Sequence, residues 1–406
     1  MVRVSPERLT SNLAEIQGLY GAFSFPERLL QKIWLRRDFD QTNLRTTDGV
    51  AVAVPHPGKW NLLGGPDFRA ARLRFAGGTE RTGDVELHLR AGDWNAHAHA
   101  RDPAYNDVIL HVVLFPPEPG QVTVGAGGRQ IPIVALLPLL HHDLEEYAAD
   151  EAVESLSDRP TARVTNELAI FSPPELHTLL RHHALGRWRQ RLHFARGRLQ
   201  RLGWEGACHH AALEVLGFRF NRAPMLRIAS RWNLAAWARG AVGLDEALLS
   251  EIDAWSVQGV RPANHPRARL RQYAAWTAAR PDWPARLLQW AERLPALDAN
   301  ADTRGLRRQA RLAAQREACA NQVCAGAIGG SRLDTLVCDA FLPLFGAVSE
   351  KAERYGAWFH WFAGDLPPFV PVGLRQLNVC DGRTQPACHG LAQGLLGWLI
   401  EREVRR

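Results

Sequence analysis

The chain reads GDVELHL from Gly83 to Leu89 and VILHVVLF from Val108 to Phe115, and these two apolar runs set its expected fold. Valine, isoleucine and leucine favour β-strands, and a helix-like stretch separates the runs. Because successive side chains of a strand point to opposite faces, Glu86 and His88 share one face, opposite an apolar layer. The first strand therefore places an acid beside a titratable base.

A second acid precedes the neighbouring run. Pro66-Asp67 comes shortly before residues 70–75, which read AARLRF. Carboxylate oxygens are the ligands that Mg²⁺ and Mn²⁺ prefer, so Asp67 and Glu86 are candidates to hold one such ion between them. Asp67 is equally typical of a turn that satisfies local backbone amides. Glu86 requires a partner or a metal if it is buried in its apolar strand.

The amino-terminal and carboxy-terminal parts of the chain differ in their sequence patterns. Short alternating runs between about Asn43 and Leu140 predict the sheet. An amphipathic helix is predicted ahead of the sheet from Pro26-Glu27, with its apolar positions at Leu29, Leu30, Ile33 and Trp34. We therefore predict an α+β chain: a mixed-sheet domain over residues 1–147, a polar linker or surface loop over 148–163, and a large all-helical domain over 164–406.

The amino-acid composition limits the classes of function that the chain can have. With 406 residues, 46% of them hydrophobic, the chain can bury a large core. Its formal charge of +7 comes almost entirely from arginine, which favours a polyanionic partner such as nucleic acid, although a general arginine bias of the genome explains the charge equally well. The six cysteines have no CxxC spacing, which predicts buried thiols and neither disulfides nor a structural zinc site.

Targeting signals are missing from the sequence. No window approaches the ~18 apolar residues of a membrane helix. Residues 1–17 are polar with a helical pattern and lack the apolar core and cleavage site of a secretory signal. The expectation is a soluble cytoplasmic protein without a membrane partner.

Several long motifs in one order resemble the domain-of-unknown-function family 2851, a bacterial family. In the sheet half the resemblance rests on NLRTTDG (43–49), NLLGGPDF (61–68), GDVELH (83–88), DPAY (102–105) and VILHVV (108–113); in the helical half it rests on LGFRFN (216–221) and RPANHP (261–266).

Residues 27–115 also resemble, more distantly, the PD-(D/E)xK nuclease superfamily, whose restriction-endonuclease-like core is a small mixed sheet flanked by helices. The resemblance implies that Asp67 and Glu86 are the metal ligands and that Glu27 is an assisting helix acid. His88 stands where the superfamily usually has lysine. A neutral imidazole there would accept a proton from a metal-bound water or stabilise charge.

Other polar residues are candidates for substrate contacts. Asn61 is placed to orient water or a phosphate oxygen, or else is an ordinary loop residue. His97 and His111 are expected as phosphate contacts or as residues behind a metal, while Asp102 before Pro103 either binds or ends the helix. A histidine metal site that includes His99 is less favoured, because residues two apart on a helix diverge. A predicted helical stretch from Arg181 to Leu202 contains no acidic residue. Its Arg187 and Arg191 are candidates to bind a polyanion, and the alternative is that they belong to a solvated helix face.

The leading hypothesis is a Mg²⁺- or Mn²⁺-dependent phosphodiesterase that cuts nucleic acid. The catalytic candidates are Asp67, Glu86, His88 and Glu27. The alternatives are a non-catalytic nucleic-acid-binding or scaffold protein that kept the nuclease fold, and a metal hydrolase of a small substrate.

Overall fold

A computed structural model describes residues 13–18, 21–157, 165–218, 220–258, 260–349, 354–381 and 385–404. The chain is an α+β protein with a curled mixed sheet in its amino-terminal part and a helical carboxy-terminal region. It divides into two compact units, Met1–Glu151 with Val404–Arg406, and Ala152–Glu403. The domain boundaries predicted from sequence stay a prediction.

The first unit contains all the described strands. They are β1 (Leu13–Gly18), β2 (Gly21–Pro26), β3 (Val52–His56), β4 (Lys59–Trp60), β5 (Phe68–Phe75), β6 (Glu80–His88), β7 (Val108–Val113), β8 (Thr123–Val124), β9 (Gln130–Ile131) and β10 (Ile133–Ala135). Its helices are α1 (Glu27–Arg36), α2 (Asp93–Ala96) and the first part of α3 (Leu144–Ser157), with 3₁₀ turns at His99–Arg101, Pro103–Tyr105, Ala126–Gly128 and Leu137–Leu139.

The main sheet has the strand order β10-β7-β6-β5-β3, and β4 also pairs with β5. Strands β3, β5 and β6 are antiparallel neighbours, whereas β6, β7 and β10 run parallel. A parallel pair requires a crossover, and residues 89–107 supply it. This crossover holds only the four-residue helix α2 and two 3₁₀ turns, which is less helix than the sequence pattern predicted.

One face of the sheet builds the core of this unit. Val85 and Leu87 of β6 are fully buried there with Leu110 and Val112 of β7. Helix α1 contributes buried residues at the predicted amphipathic positions, Leu29, Leu30, Ile33 and Trp34. The opposite face of β6 carries Glu86 and His88, as alternation predicted.

Two segments differ from the sequence expectation. Residues Leu13–Gly18 form a strand paired with Gly21–Pro26, so the helical pattern assigned to residues 1–17 is wrong over its last part; residues 1–12 lie outside the described residues. Ala14 and Ile16 are buried at a spacing of two, the period of a strand. Helix α3 also covers residues where a loop was predicted, because alanines and Leu156 give it a buried face; residues 158–163 are not described.

The helices and helical turns of the second unit make up its regular secondary structure within the described residues. After α3 its helices are α4 (Pro173–Leu216), α5 (Arg222–Arg231), α6 (Leu234–Ala238), α7 (Leu244–Leu249), α8 (Pro266–Ala279), α9 (Trp283–Glu292), α10 (Thr303–Gln309), α11 (Leu312–Ala318), α12 (Gly330–Leu336), α13 (Leu342–Val348), α14 (Tyr355–His360), α15 (Phe369–Gln376) and α16 (His389–Val404). A 3₁₀ turn covers Pro262–Asn264, and π-helical turns cover Cys319–Val323 and Val337–Phe341. The six cysteines are free thiols, and their predicted burial is confirmed. Within the described ranges, no helix combines the length and apolar character needed to cross a membrane.

Candidate functional site

Three carboxyl groups from different elements lie close together in the first unit. Asp67 directly precedes β5, Glu86 lies in β6, and Glu27 begins α1. The Asp67 amide donates to Glu86 Oε2 at 3.0 Å, and the Leu87 amide donates to Asp67 Oδ2 at 3.0 Å. The Asp67 side chain therefore accepts from the neighbouring strand and not from its own turn.

A polar chain from α1 orients Asp67. Gln31 Nε2 donates to Asp67 Oδ1 at 2.7 Å, and Trp60 Nε1 donates to Gln31 Oε1 at 3.2 Å. Both oxygens of Asp67 are thus held by hydrogen bonds. Gln31 lies one turn after Glu27, so helix α1 both supplies one acid and positions another.

Burial and mutual repulsion keep these acids partly protonated. Burial, followed by the charges of Asp67 and Asp93, raises the pKa of Glu27 to about 8. Burial also raises the pKa of Glu86 and of Asp67, and for Glu86 the neighbouring Asp67 adds to the effect. Glu27 Oε2 is buried and has no hydrogen-bond partner among the described residues. The site therefore disfavours the ionised form of all three carboxyl groups.

A cluster of imidazoles lies beside the acids. His88 Nε2 is 3.1 Å from His97 Nδ1 and 3.3 Å from His99 Nε2. Glu86 Oε1 is 3.5 Å from His88 Nε2 and 3.4 Å from His99 Nε2. One ligand atom from each of the three histidines lies within 4.8 Å of the others. Glu86 therefore has one oxygen near the imidazoles and the other on the Asp67 amide.

The backbone between His97 and His99 explains this convergence. Helix α2 ends at Ala96, and Ala98 adopts the left-handed conformation with φ 57° and ψ 28°. This residue turns the chain so that His97 and His99 approach each other, with ring centroids 5.2 Å apart. The expectation that these side chains diverge on a helix is wrong, because the helix ends before them.

His111 hydrogen-bonds to His88 of the imidazole cluster. It is fully buried in β7, where Nε2 is 2.9 Å from His88 Nδ1 and Nδ1 is 2.7 Å from Thr123 Oγ1. Burial, with the neighbouring imidazoles, lowers the pKa of His88, His99 and His111, the second of these to about 4. All three rings are therefore neutral near pH 7. Both His111 nitrogens already have partners, so a direct substrate contact would require rearrangement.

Tyr105 is a further residue of the site. It is only partly buried, and its ring stacks on His99 with centroids 3.8 Å apart. Burial raises the pKa of its phenol, with contributions from Glu86 and Asp67. The sequence analysis did not identify Gln31 and Thr123. Their contacts are with residues 36 and 12 positions away, so no local pattern marks them.

Asn61 and Asp102 have structural contacts. Asn61 Nδ2 donates to the carbonyl groups of Gly64 and Pro66, so it shapes the loop that leads to Asp67. Asp102 Oδ1 accepts from the Ala104 amide at the start of a 3₁₀ turn. Their predicted substrate contacts stay predictions.

The two arginines proposed for polyanion binding belong to helix α4. Arg187 is only 8% exposed, and its Nε donates to Gln393 Oε1 within the helical unit. Arg191 lies 3.5 Å from Asp339 Oδ1. Neither is a freely solvated positive charge, and their role in binding stays a prediction.

Comparison with known proteins gives one match. The family model described as protein of unknown function (DUF2851) matches residues 27–249, which include the carboxyl and imidazole clusters. No curated protein and no solved structure matches the chain.

Proposed function

The chain belongs to the DUF2851 family of proteins of unknown function, and from its site we propose that it is a metal-dependent phosphodiesterase acting on nucleic acid. The observation that carries the proposal is the convergence of the Glu27, Asp67 and Glu86 carboxyl groups. Buried acids that raise one another's pKa are typical of functional sites.

The donor set fits a hard divalent cation. Asp67 and Glu86 would hold Mg²⁺ or Mn²⁺, since carboxylate oxygens are the preferred ligands of both ions. Glu27 Oε2, which is buried without a hydrogen-bond partner among the described residues, belongs to the same carboxyl cluster. A bound cation would compensate this atom, since buried polar atoms normally have a partner. When bound, the cation would lower the pKa of a coordinated water and offset charge that develops on the phosphate.

The side chains would divide the remaining tasks. Asp67 is held by Gln31 and by the Leu87 amide, so its position is fixed before any ligand arrives. Glu27 would take the proton of the attacking water, since a pKa of about 8 suits proton transfer near neutral pH. The lowered pKa of His88 makes it a poor base near pH 7, so we assign the proton to Glu27.

The element order supports the phosphodiesterase class. Helix α1 is followed by the antiparallel strands β3, β5 and β6, and then by a crossover to the parallel strand β7. The acids occur at the start of α1, before β5 and within β6, as the PD-(D/E)xK resemblance implies. The element order and the positions of the acids are a likeness of fold only. The proposed activity is argued from the residues of the site, because a shared fold does not imply a shared function.

Exposed arginines of the sheet favour a polyanionic substrate. Arg72 and Arg74 are exposed on β5, and Arg72 is paired in register with Thr82 of β6. By strand alternation, Thr82 shares a face with Glu86 and His88. Guanidinium groups on that face would bind phosphates of a strand whose scissile bond reaches the acids.

The test is cleavage of single-stranded and duplex DNA and RNA with Mg²⁺, Mn²⁺ or EDTA. We expect metal-dependent cutting by the full chain, at least ~100-fold slower in Asp67→Asn and Glu27→Gln, by analogy with the loss of a positioned acid–base group. Glu118→Gln, an exposed acid of the same unit, is the control and should cut normally. Absence of cutting on every substrate, with salt-dependent nucleic-acid binding retained, would replace this proposal with the binding-protein alternative.

A further inference from the structure

We propose that His88, His97 and His99 form a binding site for one first-row transition-metal ion, of the Zn²⁺ or Co²⁺ type. Its ligand atoms are imidazole nitrogens, so it shares no ligand with the carboxyl pair proposed for Mg²⁺ or Mn²⁺. It adjoins the proposed active site through Glu86, but it does not require the chain to be a hydrolase.

The spacing of the donor atoms carries the inference. In a tetrahedral site with metal–nitrogen bonds of ~2.0–2.1 Å, neighbouring ligand atoms are ~3.3–3.4 Å apart. His88 Nε2 lies 3.1 Å from His97 Nδ1 and 3.3 Å from His99 Nε2. Two of the three distances between ring nitrogens are therefore close to those that a bound ion would require, and the third is no longer than 4.8 Å.

Hydrogen bonds alone do not account for the close approach of these three ring nitrogens. A neutral imidazole has one N–H donor and one acceptor nitrogen. His88 Nε2 faces two other ring nitrogens and the Glu86 carboxylate, and a single proton can form only one good hydrogen bond among them. A cation at the centre would use all three lone pairs at once.

The surrounding residues would orient His88 as a ligand. If His88 Nδ1–H donates to His111 Nε2, then His111 Nδ1–H donates to Thr123 Oγ1 and the lone pair of His88 Nε2 points into the cluster. Metal-bound histidines usually donate their other N–H in this way. In this arrangement the buried Thr123 accepts a hydrogen bond from His111 and so supports the orientation of His88, a ring that hydrogen-bonds to His111.

Three histidines leave a coordination position open, as in catalytic zinc sites. His97 is only partly buried and its neighbours Ala96 and Ala98 are exposed, so solvent can approach the cluster from this side. Glu86 Oε1, next to His88 and His99, is placed to accept a hydrogen bond from a water in that position. Imidazole ligands suit Zn²⁺, Co²⁺ and Fe²⁺ more than Mg²⁺.

The experiment measures metal binding and not activity. The full chain is stripped with a chelator and titrated with Co²⁺, with visible absorption reporting coordination and calorimetry reporting stoichiometry. We expect one tightly bound Co²⁺ per chain, with an absorption typical of low-coordinate nitrogen ligation and distinct from weaker binding at the carboxyl pair. His97→Ala should weaken binding by more than the ~10–100-fold that loss of a supporting residue causes.

Two further variants make the outcome decisive. Asp67→Asn removes an acid of the other cluster and should leave Co²⁺ binding unchanged even if it abolishes cleavage. His182→Ala, an exposed histidine of α4, controls for adventitious binding. Equal Co²⁺ binding by wild type and His97→Ala, with circular dichroism showing both folded, would overturn the inference, and so would loss of binding in Asp67→Asn. Binding without nucleic-acid cleavage would overturn only the proposed function.

Discussion

Replacing Glu27 with glutamine should stabilise the metal-free protein, although glutamate is the residue that the proposed function requires. The pKa of Glu27 is raised from 4.5 to about 8 by burial and by Asp67 and Asp93, so folding disfavours its charged form. Glutamine keeps the shape of the side chain and carries no charge. The variant tests whether the folded site disfavours a negative charge at this position.

The magnitude follows from proton linkage. Below pH 4.5 the carboxyl is protonated in both states and contributes no difference. Between pH 4.5 and about 8 the folded state holds the proton that the unfolded state releases, so stability falls as pH rises. At pH 7 the cost is about 3 kcal/mol, from ~1.4 kcal/mol per unit over ~2.5 units. Glu27→Gln should recover up to this amount at pH 7 and almost none at pH 4.5.

Hydrogen exchange of the full chain in EDTA, read in peptides covering α1 and β6, measures the effect within the first unit. We expect slower exchange in Glu27→Gln than in wild type at pH 7, and a much smaller difference after correction for intrinsic rates at pH 5. Added Mn²⁺ should protect wild type more than the variant, and Glu118→Gln should behave as wild type. A Glu27→Gln difference that is absent, or equal at both pH values, would refute the charge argument.

The remaining predictions concern the imidazole cluster and the basic face. Ala98→Val should weaken Co²⁺ binding at least ~10-fold in competition titrations while Ala98→Gly retains it, because a β-branched residue disfavours the left-handed backbone; equal binding by the two variants would contradict the role of the turn. Thr123→Val should weaken Co²⁺ binding ~10–100-fold without removing a ligand, and wild-type affinity would exclude the orienting role. Arg72→Glu with Arg74→Glu should lower oligonucleotide affinity and reduce the slope of log K against log salt by about 1.4, at ~0.7 per phosphate contact on a single strand; an unchanged slope would move the binding surface elsewhere.

Local periodicity predicted the elements that surround the site. The four apolar positions of α1 are buried as expected, and β6 places Glu86 and His88 on one face because alternation depends only on neighbouring residues. The proximity of Asp67 to Glu86 also followed from the strand order, since β5 and β6 pair directly. These inferences need no information beyond one or two strands.

The imidazole cluster could not be predicted in the same way. It depends on where α2 ends and on a positive φ at Ala98, and alanine carries no sequence signal for that conformation. Thr123 reaches His111 only because β8 lies near β7, a tertiary relation without a local pattern. The same limit explains the missed pair β1–β2, whose alternation covers only six residues in each strand.

The neighbours of His88 explain this residue without reference to the lysine that the proposed PD-(D/E)xK resemblance implies at its position. A lysine at this position, where the histidine is 1% exposed, would place a charged ammonium beside His99 and His111, whose pKa values burial lowers so that both rings are neutral. A histidine contributes instead a third ring nitrogen to a group whose other members come from the crossover between β6 and β7. The residue at 88 and the turn at 98 therefore depend on each other: His97 and His99 gain a common partner only if residue 88 is an imidazole.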